Sequence, residues 1–185
     1  MKLLLHICCA PCSIMCIETL RGEGIEPVGF WDNPNIHPFT EFRMRRNTLV
    51  DYAKEIGLSL VVEGGYGLRP FLEAVGGDFD GRCPVCYRLR MRSAARYAAE
   101  NGFTHFTTTL LISPYQNHEL LAQTAREAAE KFGVAFLYRD FRPFFREGQD
   151  RARAMGLYMQ KYCGCIFSEE DRYRKRKKPP KKEEA

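Results

Sequence analysis

A chain of 185 residues with 45% hydrophobic and 12% aromatic side chains is the size of one ordinary domain and can bury a sizeable core. Its longest apolar opening, LLLHICCA, is interrupted by His6 and falls far short of the roughly 20 residues a spanning helix needs, which excludes a membrane span and leaves a cytoplasmic chain as the expectation. The net charge of +5 sits at one end: Arg172 to Lys182 holds eight of the 28 basic residues, while residues 1–171 carry 20 basic and 21 acidic side chains. A neutral body over 1–171 is therefore expected to end in a basic, flexible tail over 172–185, either a solvated end or an arm that releases counterions from a phosphate backbone.

In chain order, KLLLHIC is a short apolar run with strand character, and APCSIMCIETLRGEG, with proline in its first turn and glycines at its end, reads as a helix. IEPVGFW is a second strand that runs into the turn-rich DNPNIHP. TEFRMRRNTLVDYAKEIGL is a helix with Thr40 as expected N-cap and Gly57 as stop. LSLVVEGG gives a third strand, and a glycine- and proline-containing passage leads to CPVCYRLRMRSAARYAAENG, a long helix with a CxxC in its first turn. FTHFTTTLL, HELLAQTAREAAEKFG and VAFLYRDF follow as strand, helix and strand, and a last helix is expected from Glu147 to Lys161 before a CGC.

Strands alternating with helices at this spacing predict an α/β fold, a parallel sheet with helices on both faces. Ligands of such sheets gather beyond the carboxyl ends of the strands, so Cys8 and Cys9, residues 32–37, residues 113–117 and residues 139–142 are expected on one rim. No GxxxxGK[ST] is present, and the first strand ends in CCAPC, where a nucleotide site would need glycines. Eight cysteines with no export signal point to metal ligands or catalytic thiols rather than structural disulfides. Cys8, Cys9 and Cys12 lie together, with Cys16 one turn on, Cys83 and Cys86 form the CxxC, and Cys163 and Cys165 form the CGC. Four thiolates suit zinc or an iron–sulfur cluster. Neighbours such as Cys8 and Cys9 fit different corners of a cluster more easily than one small zinc ion.

The segments HICCAPC, DNPNIHPFTEFRMR, GRCPVCYRLRM, TTTLLISPYQNHE, DFRPFFREG and YMQKYCGCIFS, running in that order from about Leu4 to Ser168, resemble the motif set of the cobalamin-independent epoxyqueuosine reductases, the QueH family. Every cysteine pair falls inside the match; Cys16 and the tail fall outside it. The resemblance implies a fold similar to the adenine-nucleotide alpha-hydrolase (HUP-like) class without its ATP loop, and a [4Fe–4S] cluster. It also implies a transfer RNA substrate whose anticodon epoxyqueuosine is reduced to the alkene of queuosine, with electrons from a donor the sequence does not name.

Within that resemblance, Cys8, Cys9, Cys83 and Cys86 are the expected cluster ligands, with Cys12 beside them as a reserve ligand. Deoxygenation takes two electrons and two protons, whereas one cluster passes one electron at a time, so a second redox element is wanted. Cys163 and Cys165 are expected to supply it, either as a dithiol or by binding a second, mononuclear iron. His37 is a candidate proton donor or substrate contact on the rim, or a ring bonded only to loop backbone. Asn35, Tyr115, Gln116, Asp140 and Arg142 are candidate contacts to the modified base or its phosphate. Their plainer readings are a core tyrosine for Tyr115 and a structural ion pair for Asp140 and Arg142. Two other classes remain open on the residues alone: a zinc-bearing nucleic-acid-binding module and a general thiol–disulfide oxidoreductase.

Overall fold

The computed structural model describes residues 1–174. Its core is a five-stranded sheet in the order β3-β2-β1-β4-β5, from β1 (Leu3–His6), β2 (Val28–Trp31), β3 (Leu60–Val62), β4 (His105–Thr108) and β5 (Ala135–Phe136). Every pairing is parallel. All four residues of β1 are buried, which is why that strand is almost wholly apolar instead of alternating: helices cover both faces of the sheet. The intervening helices are α1 (Ala10–Gly22), α2 (Phe39–Glu55), α3 (Leu68–Val75), α4 (Arg82–Glu100), α5 (His118–Phe132), α6 (Phe145–Ala154) and α7 (Ile166–Tyr173). On the two sides of the sheet α4 packs on α5 and α1 on α6. At the second interface a Cβ on Gly148 would come to 3.2 Å from Met15 Cγ, so the closeness of α6 to α1 depends on that glycine.

Strand order runs outward from β1 through β2 to β3 on one side, and through β4 to β5 on the other. The reversal falls between β1 and β4, and at such a switch point the two chain crossings diverge and leave a crevice beyond the strand ends. Cys8 stands there, its backbone N–H donating to Thr109 Oγ1 at 3.2 Å across the gap. Thr109 opens a 3-10 turn, Thr109–Ile112, where a continued strand was expected.

Two further expectations are corrected, and two helices are added. Thr40 is not the N-cap of α2: the helix starts at Phe39 behind Pro38, and Thr40 is an exposed residue within it. The passage before the CxxC holds α3, whose Phe71 and Val75 are buried against Cys86 and Cys165. The helix expected to reach Lys161 stops at Ala154, just before Gly156 takes a positive φ of 66°. Finally, α7 follows the CGC over Ile166–Tyr173. Of the basic run, residues 175–182 lie outside the described residues. No helix among the described residues is long and apolar enough to cross a membrane.

The segment between α6 and α7 is tied to the body by Arg45, which is 2% exposed. Its Nε donates to Glu41 Oε1 at 2.6 Å, and its two Nη groups donate to the carbonyls of Cys163 at 2.8 Å and Tyr162 at 2.9 Å. Tyr158 donates to the other Glu41 oxygen. One buried ion pair on α2 thus holds the CGC loop in place. Replacing Glu41 with Ala strands the Arg45 charge, and is expected to lower stability by about 3–5 kcal/mol in urea melting, with Glu41→Gln, which keeps a hydrogen-bond acceptor, losing less.

Candidate functional site

A cavity of about 660 Å³ opens at the carboxyl edge of the sheet, and Cys8, Cys12, Arg45, Tyr115, Gln116 and Cys163 are among its lining residues. Its lining cysteines are Cys8 and Cys12 from the β1–α1 junction and Cys163 from the CGC loop. Cys8 and Cys9 follow β1, and Cys12 lies in the first turn of α1, where Pro11 starts the helix without needing an N–H partner. The Sγ atoms of Cys8, Cys9 and Cys12 all lie within 4.8 Å of one another, and all three residues are buried. Those of Cys8 and Cys9 are 3.7 Å apart. Hydrogen bonds from Cys12 and Cys9 hold the Cys8 thiol well below its ordinary pKa against the effect of burial, with Arg90 and Thr109 helping. Burial chiefly pushes Cys9 up, and donation to Cys8 pushes Cys12 up. Of the three thiols, Cys8 is thus the one whose ionisation its neighbours favour.

A second sulfur group lies alongside. Cys83 and Cys86 occupy the first turns of α4, close to Cys163 and Cys165, and burial is the main cause that pushes the Cys83 thiol up. Burial pushes Cys86 up to about 12, with Arg90 pulling the other way. Cys165 is buried in the same apolar cluster as Cys86, whereas Cys163 is exposed and accepts from Gln116 Nε2 at 3.4 Å. The Gln116 amide is oriented by Tyr87, whose hydroxyl donates to Gln116 Oε1 at 2.8 Å. Gly164, between the two cysteines, has φ +155°, and an added Cβ there would stand 3.4 Å from Arg45 Nη1.

Two residues that sequence reasoning passed over join these groups. Arg90 is 2% exposed. It donates from Nη2 to Asn33 Oδ1 at 2.6 Å and from Nε to His6 Nε2 at 3.4 Å, and its Nη1 lies 4.0 Å from Cys86 Sγ. Burial opposes its charge, but Cys86, Cys8 and Cys163 raise its pKa overall. No carboxylate is among these hydrogen-bond partners. Arg90 also holds His6 neutral: burial and then Arg90 drive that ring down to about 3, and its Nδ1 meets Thr108 Oγ1 at 2.9 Å. A signal was available, since Arg90 falls on the buried stripe of α4 with Cys86, Tyr87, Met91 and Ala94. Gln160 is the second such residue, its Nε2 donating to Cys12 Sγ at 3.4 Å.

The expected rim residues separate. Tyr115 and Gln116 reach the cavity wall, and Tyr115 is 84% exposed rather than core. Asp140 and Arg142 form an exposed ion pair at 2.6 Å, and hydrogen bonds from Arg142 hold Asp140 at about 2. Asn35 is buried behind the CGC loop with no described partner for Oδ1. His37 is also buried and does not line the cavity. Its Nε2–H donates to the Pro34 carbonyl at 3.0 Å, and its Nδ1 accepts from the Ile166 N–H at 3.2 Å. With both ring nitrogens engaged, His37 secures the start of α7, which leaves no free nitrogen for the proton-donor role expected of it.

A parallel, doubly wound α/β fold with clustered, charge-compensated thiols at its switch point defines a thiol-site protein with the donors for a metal centre, not a nucleotide-loop protein. The family model described as epoxyqueuosine reductase QueH matches residues 3–171, and the chain belongs to that family. It is similar to epoxyqueuosine reductase QueH of Dehalococcoides mccartyi, at 36% identity over 96% of this chain and 98% of that protein. The Thermotoga maritima protein of the same name is 33% identical over 89% of this chain and 88% of its own. That of Haemophilus influenzae is 34% identical over 92% of this chain and 72% of its own.

The geometry of His37 has a thermodynamic consequence. Burial lowers its folded pKa from 6.5 to about 4, so between those values the unfolded chain binds the extra proton. The stability this ring contributes is full above about pH 6.5 and is lost as pH falls towards 4, at up to about 1.4 kcal/mol per pH unit. His37→Gln is expected to be less stable than the parent at pH 7, with the gap narrowing by about 2 kcal/mol by pH 5 in urea titrations. A gap that does not change with pH contradicts this role.

Proposed function

We propose that this chain reduces the epoxide of epoxyqueuosine in the anticodon of transfer RNA to the alkene of queuosine, in the cytoplasm. The observation that carries the reading is that Cys8, Cys12 and Cys163 face one cavity whose wall also holds Tyr115 and Gln116, in a chain of the family so described. The overall change takes the epoxide, two electrons and two protons to an alkene and water, with the electrons supplied by a low-potential electron-transfer partner.

The donor set fits an iron–sulfur cluster of the [4Fe–4S] class. Buried sulfurs within 4.8 Å of one another, near a buried guanidinium with no carboxylate hydrogen-bond partner among the described residues, suit a centre of net negative charge. Cys8 and Cys9 would hold it with donors from Cys12 or from Cys83 and Cys86. Cys163 and Cys165 remain the second element, as a dithiol or as ligands of a separate iron. When bound, the metal supplies one-electron transfer and Lewis acidity towards the epoxide oxygen. The chain's own residues do the rest. Gln116 and Tyr115 orient the modified nucleotide, Gln160 and Gln116 donate hydrogen bonds to Cys12 and Cys163, and Arg45 fixes the loop that carries Cys163.

The direct test is anaerobic incubation of iron- and sulfide-reconstituted protein with a low-potential reductant and an epoxyqueuosine-bearing stem-loop. The expected product is lighter by one oxygen atom; unchanged RNA overturns the reading, and stoichiometric zinc without iron favours a non-catalytic module. In the same preparations Cys9→Ala and Cys12→Ala are each expected to lose bound iron and turnover. Cys16→Ala, whose Sγ only donates to the Cys12 carbonyl at 3.3 Å, is expected to lose neither. Full iron in Cys12→Ala returns the third ligand place to α4.

Ending the chain after Arg174 removes six basic residues (175–178, 181 and 182) while keeping α7. We expect weaker RNA binding and a salt dependence flatter by about 0.7 in slope for each single-strand phosphate that is no longer neutralised, with metal content unchanged. Equal slopes for the two chains leave the tail a solvated end.

A further inference from the structure

Beside the main cavity lies a second hollow of about 360 Å³, lined by Pro114, Tyr115, Arg142, Pro143, Phe145 and Arg146. Tyr115 and Phe145 line both. Their rings meet edge to face, 5.8 Å between centres and 84° between planes, so the pair forms a dividing wall. The turn that presents Tyr115 is ordered by its own bonds: the Tyr115 N–H donates to Ser113 Oγ at 3.3 Å and the Gln116 N–H to the Ser113 carbonyl at 3.4 Å. The result is an aromatic face that is 84% exposed on a fixed support.

The charges of this hollow differ in kind. Arg142 is held in place by Asp140, at 2.8 Å from Nε and 2.6 Å from Nη2. Arg146 is exposed and makes no ion pair or hydrogen bond among the described residues. The nearest acid in sequence, Glu147, is taken by Arg151 at 2.5 Å. A hollow with an open aromatic face, two prolines and one uncommitted guanidinium has the chemistry to hold a base by stacking and its phosphate by charge. Its volume lies within the range of about 300–1,000 Å³ typical of small-ligand sites.

We propose that this hollow is a subsite for the nucleotide adjoining the modified one in the RNA strand, with its base on Tyr115 and its phosphate on Arg146. The proposal rests on the reading that the main cavity receives a modified nucleotide of an RNA. The Tyr115–Phe145 wall then stands between two successive nucleotides and keeps them unstacked, which is how single-stranded loops are commonly read. The protein thereby recognises a strand, and a free nucleoside fills only half of its site.

The test is a binding cycle on the full chain with fluorescently labelled, unmodified anticodon stem-loops, either intact or with an abasic residue 5′ or 3′ of the wobble nucleotide. The parent chain is expected to bind one of the two abasic RNAs roughly tenfold or more weakly than the intact one. Tyr115→Ala is expected to bind the intact RNA weakly by a similar factor and to lose that discrimination. Arg146→Ala is expected to keep the discrimination while flattening the salt dependence by about 0.7 in slope. Thermal melting of each variant checks that it is folded. The proposal is overturned if Tyr115→Ala retains the full abasic penalty, if the parent ignores both abasic positions, or if it binds no stem-loop. Failure of the underlying reading appears separately, as epoxyqueuosine left unreduced in the turnover assay while the unmodified RNAs still report on the hollow.

Discussion

Taking a guanidinium out of water costs several kcal/mol even after relaxation, and this protein does so twice beneath one cavity. Arg45 has a carboxylate partner in Glu41 at 2.6 Å. Arg90 has none among its described partners, and its neighbours are the amide oxygen of Asn33, a neutral His6 and sulfur. Cys86, Cys8 and Cys163 raise the Arg90 pKa against the effect of burial, and Arg90 in turn pulls the Cys8 and Cys86 thiols down, although burial still pushes Cys86 up to about 12. The sulfur site and the buried cation are parts of one electrostatic arrangement.

That arrangement is placed by topology. The reversal of strand order between β1 and β4 leaves a crevice into which the chain turns directly after His6. Three cysteines then fall within seven residues of the strand end. Arg90 reaches this point from the buried stripe of α4, and Asn33 reaches it from beyond β2, donating back to the Ile7 carbonyl at 2.9 Å. The CGC loop arrives from far along the chain and is held by carbonyl bonds to Arg45 and by the His37–Ile166 hydrogen bond that starts α7. Strand ends, one helix face and one returning loop thus meet over the sheet, leaving the outer side of the cavity open.

The outer side is built differently. Its cations, among them Arg153, Lys161 and Arg172 at the main cavity and Arg146 at the neighbouring hollow, are exposed, so salt screens each of them and each is worth little alone. The body of the chain is nearly neutral in sum, but the fold gathers these side chains around the opening. Neutral composition did not mean a neutral face.

Much of this was legible in sequence. Apolar runs separated by helical periodicity required a parallel sheet, the sheet required a rim, and the grouped cysteines on that rim required chemistry at sulfur, because local spacing fixes those features. The CxxC and CGC were legible for the same reason, and so was the absence of a phosphate loop. Tertiary structure decided the rest, because it turned on which distant side chains share one buried volume. It drew Cys12 into the triad and put Cys83 and Cys86 beside the CGC. It turned His37 away from the cavity, made α7 from residues that carry weak helical signals, and set an ordinary-looking Arg90 among an amide, a neutral imidazole and sulfur. Sequence determined which chemistry the chain carries; packing decided which atoms meet to perform it, since the energy of a buried charge depends on neighbours that lie about a hundred residues away, as Cys8 and Thr109 do.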